Sequence, residues 1–517
     1  MKDAVRDAVR PHPARFNFTV DIVERLARER AGDEALRAIS SSGERRSFSF
    51  AQVAAEASGT AGALAALGVR RGDVVMTLMG ARPEWVFAML ACWRLGAAAL
   101  PCSEQLRAKD IALRIEQARP RLVLHAGRDR AELEQALRAF ENPPLCIDVD
   151  EQRLHAEPSP AADTVAEDAA LVIFTSGTAG EPRGAVHSQR YLWGQSVQAE
   201  HWLGARVGDL VWCTAASGWS KSARNAFVAP WSRGASCLLH DARFDPAERL
   251  ELLASERVSV LCQAPTEYRL IAKRVALDRA RSEALRRLVS AGEPLNPEVM
   301  HAFADALGLD IHDGYGQTET GQLTGMPVDE QVRPGSMGRP LPGFGLEVID
   351  GEGNRASDGE LCLEPGTVPT FFRGYLGEQD FHDRRWRTGD HVRVDEDGFL
   401  WFEGRLDDVI LSAGYRIGPF EVESACLEHP AVQEAAAVAS PDELRGNVVK
   451  AFIVAAAGHE PSAELADDIK SFVRAKLSAY AYPRRIEFVD ELPKTLTGKI
   501  RRTELRQLEV DRARNAT

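Results

Sequence analysis

The chain lacks a long apolar run: no stretch reaches about 18 uninterrupted apolar residues, so no membrane-spanning helix is expected. Its start, Met1-Lys2-Asp3-Ala4, mixes charges and has no apolar signal core. Cysteine is sparse, with eight residues scattered at 92, 102, 146, 213, 237, 262, 362 and 426 and no C-x-x-C pair. That spacing suggests neither a zinc site nor a disulfide framework, and it fits a reducing, cytoplasmic setting. Positive charge is in deficit: 63 Lys and Arg against 76 Asp and Glu give a net charge of −13. A general nucleic-acid binder is disfavoured on that ground. No internal repeat of fixed period is found, which argues against a solenoid.

What remains is an ordinary globular composition, 44% hydrophobic and 27% charged over 517 residues, long enough for more than one domain. Helix-like and strand-like segments alternate through the first part. Residues 50–67 carry apolar residues at helical spacing and end at Gly68, residues 73–79 read as a strand, 83–95 as a helix and 122–125 as a strand. A further strand is expected at 258–262. Between residues 335 and 402 the texture changes to short strands with glycine turns, including 346–349 and 359–363, which predicts a small β subdomain. A boundary falls near residues 404–408. Beyond it a unit of about 110 residues is expected to hold a helix at 419–428 and strands at 435–439 and 448–454, with the last residues, 510–517, frayed.

The most informative stretch is Phe174-Thr175-Ser176-Gly177-Thr178-Ala179-Gly180-Glu181-Pro182-Arg183-Gly184, which follows the apolar run 169–173. Glycines let backbone N–H groups approach an anion, and hydroxyls donate to phosphate oxygens. The reading is a phosphate loop, with a polar strand-to-strand turn as its plain alternative. It is not of the Walker type, because Ala185 follows Gly184 and no G-K-[ST] closes it. A second loop, Asp313-Gly314-Tyr315-Gly316-Gln317-Thr318-Glu319-Thr320, combines an aromatic ring, glycines, a hydroxyl and a carboxylate, suited to stacking a base and holding a hard cation. Arg387-Thr388-Gly389-Asp390 places a carboxylate after a turn, suited to a ribose diol.

Together with residues 404–418 and the turn Pro493-Lys494-Thr495-Leu496-Thr497-Gly498-Lys499, these segments resemble the adenylate-forming superfamily of acyl-CoA synthetases, luciferases and peptide-synthetase adenylation domains. The resemblance covers nearly the whole chain in the same order. Ser217-Gly218-Trp219-Ser220-Lys221-Ser222, Pro230-Trp231, Ser412-Ala413-Gly414-Tyr415-Arg416-Ile417-Gly418-Pro419 and Tyr482-Pro483-Arg484 look like its medium-chain acyl-CoA synthetase branch. The resemblance implies an α/β fold with layered sheets and a small β subdomain in a large N-terminal domain, residues 1–404. A small mobile α+β C-terminal domain, residues 405–517, would follow. It also implies a reaction in which a carboxylic acid and ATP give acyl-AMP, and CoA then displaces AMP.

By the same resemblance, Thr175, Ser176, Gly177, Thr178 and Arg183 hold phosphate, and Glu319 holds Mg²⁺. Gly292, Glu293, Pro294, Asp313, Tyr315, Gln317 and Thr318 frame the nucleotide, Asp390 and Arg405 hold its ribose, and Lys499 bridges the carboxylate and the α-phosphate. Lys499, Thr175, Glu319 and Arg183 would be the catalytic set. Asp407 matches the hinge of a rotating lid, and Gly414, Tyr415, Arg416, Arg445 and Arg474 match positions that meet CoA. Trp219 would line the acyl site. Gly316 stands where acetate-specific relatives carry Trp, implying a roomier pocket. Lys221 is a candidate for a polar or anionic acyl tail, with a surface salt bridge as the alternative.

The chain departs from the family pattern in its phosphate loop, where Ala179 removes a hydroxyl and Arg183 replaces Lys. That departure keeps an alternative open: an enzyme impaired in adenylation that mainly makes thioester from a supplied acyl-adenylate. An adenylate-forming enzyme with another acceptor, and a non-catalytic acyl-nucleotide binder, are the other readings. The sequence leaves the acid and the oligomeric state undetermined.

Overall fold

The computed structural model describes residues 11–175, 181–280, 282–412, 415–442, 445–477, 481–494 and 499–516. Local sequence sets its elements plainly. The helix Phe50–Ala66 starts where the Ser49 hydroxyl accepts from the backbone N–H of Gln52 and the Gln52 side chain accepts in return from Ser49. This reciprocal cap satisfies two donors that a helix start leaves open. The helix Pro83–Leu95 opens on proline, which needs no N–H there, and is buried almost throughout. Its Trp85 and Trp93 pack edge-on to Phe227 and Phe18, giving the N-terminal region a continuous aromatic core.

Among the described residues two large sheets carry the N-terminal region. One runs in the order Gly374–Tyr375, Gly184–Ser188, Ala169–Phe174, Ala98–Cys102, Val74–Leu78, Leu122–His125, Leu145–Asp148. The other has nine strands, with Gly321–Gly325, Ile311–Gln317, Arg287–Ala291, Val260–Gln263 and Leu210–Cys213 adjacent in that order. A four-stranded antiparallel sheet, Leu346–Ile349, Asp358–Leu363, Trp386–Val394 and Leu400–Arg405, forms the expected β subdomain. After it come the hairpin Ile410–Ser412 and Tyr415–Ile417, the helix Pro419–Leu427, and the sheet Val432–Asp442, Gly446–Ala455 and Arg485–Phe488.

Four expectations need correction. The strand expected at 258–262 is Val260–Gln263. Asp313 to Gln317 is not loop: the strand Ile311–Gln317 runs through it, because Arg287–Ala291 and Gly321–Gly325 supply hydrogen-bonding ladders on both sides. Thr388 to Asp390 lies inside the strand Trp386–Val394 rather than after a turn. Residues 510–516 of the segment expected to be frayed lie in the helix Arg502–Ala516. Leu505 is buried, and Glu509 is buried between Lys450 and Ser440.

Candidate active site

The carboxyl ends of strands from both sheets converge. Thr175 follows Ala169–Phe174, Thr266 follows Val260–Gln263, Gly292 follows Arg287–Ala291, and Thr318 and Glu319 follow Ile311–Gln317. Ligands of α/β proteins bind beyond such strand ends, where the connections diverge. Here these residues line one cleft of ≈ 1370 Å³ together with Arg183, Glu293, Pro294, Asp313, Tyr315, Gly316, Gln317, Asp390, Arg405, Asp407 and Lys499.

Asp390 is the hub of one wall. It is 3% exposed and accepts from the Tyr315 hydroxyl, from Gln317 Nε2 at 2.8 Å and from Arg405 Nη1 at 3.2 Å. Gln317 is itself fixed, donating also to Thr388 O and accepting from Trp386 Nε1 at 3.1 Å. Gly389 has φ +72, a backbone glycine adopts without penalty, and a Cβ there would lie 3.0 Å from Arg405 Nη2. Burial pushes the Asp390 carboxyl above its ordinary pKa, against the opposing pull of Arg405 and its hydrogen-bond donors.

On the opposite side, Glu293 accepts from the Thr266 N–H and hydroxyl and from Arg269 Nη2 at 2.8 Å. Burial raises its pKa, but Arg269 and Thr266 outweigh burial and the net shift is downward. The phosphate-loop strands form an antiparallel hairpin, Ala169–Phe174 with Gly184–Ser188, so no helix N-terminus follows the loop directly. Thr175 and Arg183 close it, through Thr175 N–H to Arg183 O at 2.9 Å and Arg183 N–H to Thr175 Oγ1 at 3.1 Å. The Arg183 guanidinium lies 3.5 Å from the Tyr375 ring centroid and pairs with Glu378. The Tyr375 hydroxyl donates to Glu319 Oε1 at 2.7 Å. Sequence reasoning missed Tyr375, Trp386 and Arg269, which carry no motif of their own.

Lys499 is exposed to the open cleft, with the cleft walls around it. Burial lowers its pKa from the ordinary lysine value; Glu293 opposes that shift, Lys221 adds to it, and Asp390 and Glu319 oppose it. Lys221 is not a surface ion-pair partner: its Nζ donates to Ala291 O at 2.8 Å beside Gly292. Trp219 is half-buried, 5.8 Å from Lys221 Nζ, and does not line the cleft. Gly316 lines the cleft and backs closely on the paired strand. A Cβ there would fall 1.8 Å from Gly321 O on the paired strand.

Tyr415, Arg445 and Arg474 are exposed and lie off the cleft. The Arg445 backbone N–H donates to Asp442 Oδ1 at 3.1 Å in the turn before Gly446–Ala455, and Asn447 Nδ2 donates to Leu411 O, placing that turn beside the hairpin that carries Tyr415 and Arg416. Arg474 lies 5.4 Å from the Tyr482 ring centroid. Ser176, Gly177, Thr178, Ala179 and Gly414 lie outside the described residues. Around the expected hinge residue, Leu406 N–H donates to Gly389 O at 2.8 Å, while Asp408 pairs with Arg506 and, at 3.7 Å, with Arg502. Between them Asp407 is exposed, 3.4 Å from Arg405 Nε.

Asp313, in the cleft floor, is buried and its pKa is raised to about 8, mainly by that burial. The unfolded chain releases this proton near 3.8 and the native protein holds it to about 8, so the native state binds the extra proton in between. Stability contributed here therefore falls as pH rises from about 4 to 8. Asp313→Asn removes the titration without removing the side chain. Its melting temperature relative to wild type should climb from pH 5 to pH 8 in calorimetric scans; a difference constant with pH would refute the assignment.

Comparison with known proteins adds independent information. The model of the AMP-binding enzyme family matches residues 23–376, and that of the AMP-binding enzyme C-terminal domain matches residues 421–499. An uncharacterized acyl-CoA ligase of Bacillus subtilis (strain 168) is 40% identical over 496 residues, spanning 90% of this chain and 92% of that protein. A mitochondrial acyl-coenzyme A synthetase of Rattus norvegicus is 36% identical over 543 residues, spanning 99% and 93%. Among solved structures, an anthranilate CoA ligase in complex with anthranoyl-AMP superposes with a TM-score of 0.88 at 31% identity, covering 96% of this chain and 98% of that one. A Brucella canis acyl-CoA synthetase gives 0.74 at 34% identity, covering 98% and 96%.

Proposed function

This chain belongs to the AMP-binding enzyme family, and on that premise we propose how its cleft is used. The protein is an AMP-forming acid–thiol ligase, an acyl-CoA synthetase that activates a carboxylic acid through acyl-AMP and passes the acyl group to CoA. The observation that carries the assignment of roles is the convergence of Lys499, Glu319, Thr175, Arg183 and the Asp390–Arg405 pair on one cleft.

In the first step a carboxylate oxygen of the acid attacks the α-phosphorus of ATP and pyrophosphate leaves. Lys499 stabilises the negative charge that gathers between the two reactants. Thr175 and Arg183 hold the departing phosphates, Tyr315 and residues 292–294 frame the base, and Asp390 accepts from the ribose hydroxyls. In the second step the CoA thiol attacks the acyl carbon and AMP leaves. Lys499 has no part in that step. The unit after residue 404 turns about Asp407 to bring Gly414, Tyr415, Arg416 and Arg445 to the cleft in its place.

Glu319 suits a divalent cation: one carboxylate oxygen is oriented by Tyr375, and the other is a hard donor at the phosphate end of the cleft. Mg²⁺ held there with phosphate oxygens would neutralise charge on the leaving pyrophosphate. A cytoplasmic setting suits the eight free thiols, of which all but Cys146 are buried. No helix among the described residues is long and apolar enough to cross a membrane.

The test is a panel of carboxylic acids with ATP, Mg²⁺ and CoA, following pyrophosphate and acyl-CoA separately and including a synthetic acyl-AMP. Both products should form in equal amounts with a good acid. Pyrophosphate without thioester would mean another acceptor. The phosphate-loop departure gives a sharper check. Arg183 keeps its charge and is seated on Tyr375, so adenylation is intact and Ala179→Thr with Arg183→Lys should not speed the ATP-dependent step beyond about twofold. A gain of about tenfold, worth ~1.4 kcal/mol, would show that the native loop limits adenylation.

A further inference from the structure

A buried charge outside the cleft has no counter-ion among the described residues. Three residues after Lys221, the chain leaves α-helical geometry for a π-helical turn, Arg224–Val228. Such turns are rare and occur frequently at functional sites. Arg224 is 4% exposed, and its Nη2 donates to Gln322 Oε1 at 3.4 Å, while its Nε and Nη1 have no partner among the described residues. Buried cations are ordinarily paired, because desolvation of an isolated charge is costly.

The neighbours are also unsatisfied. The Tyr191 hydroxyl lies against the Arg224 guanidinium, and Asn225 Nδ2 and Gln198 Oε1 are buried without partners among the described residues, although Gln198 Nε2 is held by Asn225 Oδ1 at 3.0 Å. His187 stacks on Tyr191 at 4.1 Å between ring centroids, and burial drives its pKa down to about 3, so it is neutral. The cluster thus holds one uncompensated positive charge and several idle hydrogen-bonding groups.

Its position points back to the chemistry. Gln322 packs on Gly314 and Tyr191 on Gly321, so the cluster backs the hairpin of Ile311–Gln317 and Gly321–Gly325 whose other side lines the cleft. The segment that carries Arg224 starts at the edge of that cleft, where Lys221 holds Ala291 O beside Gly292.

Resting on the ligase reading above, we infer that Arg224 is the counter-ion for a second acidic group on the acid substrate. The enzyme takes a dicarboxylic acid: one carboxylate is activated at the cleft, and the other is held behind the hairpin by Arg224 with Tyr191 and Asn225. This inference replaces Lys221 as the residue that meets an anionic tail.

The experiment compares straight-chain monocarboxylates and α,ω-dicarboxylates of equal length, from four to ten carbons, by kcat/KM for acyl-CoA formation. At the length that fits, the dicarboxylate should exceed its monocarboxylate by about tenfold or more. Arg224→Met should reverse that ranking, and Arg224→Lys should keep it at reduced rate. Monocarboxylates preferred at every length would overturn the inference, leaving buried water as the partner of Arg224, while the ligase reading stands. Absence of pyrophosphate release with every acid would sink both. The wild-type ranking decides the matter even if Arg224→Met fails to fold.

Discussion

Lys499→Ala should reduce acid- and ATP-dependent turnover by about 10²–10³-fold, the usual cost of removing one group aimed at developing charge. Conversion of synthetic acyl-AMP and CoA to thioester should stay within a few-fold of wild type. The asymmetry follows from where the ammonium sits. Lys499 shares the cleft with Glu319, Asp390 and Glu293, and burial already strains its charge, so a developing anion beside it is a strong stabiliser. If the unit that carries it turns away for the second step, its loss is not felt there. Stopped-assay measurement of pyrophosphate from ATP, beside thioester from acyl-AMP, reads the two steps apart. Equal loss in both would contradict the two-orientation assignment.

Asp390→Ala should fail differently, in both half-reactions. The carboxylate is buried and takes hydrogen bonds from Tyr315, Gln317 and Arg405. Deleting one member of a buried ion pair costs about 3–5 kcal/mol, because the partner groups keep their desolvation penalty. Arg405 is partly exposed and recovers some solvation, so the lower end applies. That cost falls on folding stability; the ribose hydrogen bonds lost to the charged carboxylate, about 1.5–3 kcal/mol in all, correspond to a fall of about 10–10²-fold in kcat/KM for ATP. Acyl-AMP carries the same ribose, so its use should fall as well, chiefly through KM. Asp390→Asn, which keeps the shape but not the charge, should lie between. An unchanged KM for ATP in the alanine variant would remove Asp390 from the nucleotide site.

Much of the architecture was legible because several levels of the sequence agree. The helix beginning at Phe50 has both apolar spacing and a Ser49 cap, and the strand Leu122–His125 is a short apolar run that emerges with the expected bounds. The motif segments were legible as candidates for one site, and Thr175, Tyr315, Glu319, Asp390, Arg405 and Lys499 do line one cleft. What misled was glycine. Gly314, Gly316 and Gly389 punctuate their segments and read as loop, yet each sits in a strand whose ladder is supplied by distant residues. Their bareness permits close approach rather than a turn. The helix Arg502–Ala516 was hidden for another reason. It is polar nearly all round, and ion pairs from Arg502 to Glu423 and Arg506 to Asp408 hold it in place, contacts no local pattern reveals. Arg224 escaped notice because a cation in sequence is read as surface by default, and only the fold shows it sealed inside.

If the proposed hinge at Asp407 is right, its shortness has a consequence for how the two proposed orientations compete. Leu406 is hydrogen-bonded to the backbone of the strand Trp386–Val394, and Asp408 is bound by Arg502 and Arg506 of the helix Arg502–Ala516, so scarcely one residue is left between these anchors for the proposed pivot. A long tether would let the C-terminal unit wander, and each docking would cost the entropy of closing a loop. A pivot this short leaves little to lose. With such a pivot the effective concentration of the unit at the cleft would be high in either proposed pose, and the balance between poses would be left to the contacts each one makes. A small difference in those contacts, such as pyrophosphate departing or the CoA arm arriving, would then be enough to tip the enzyme from one half of its work to the other.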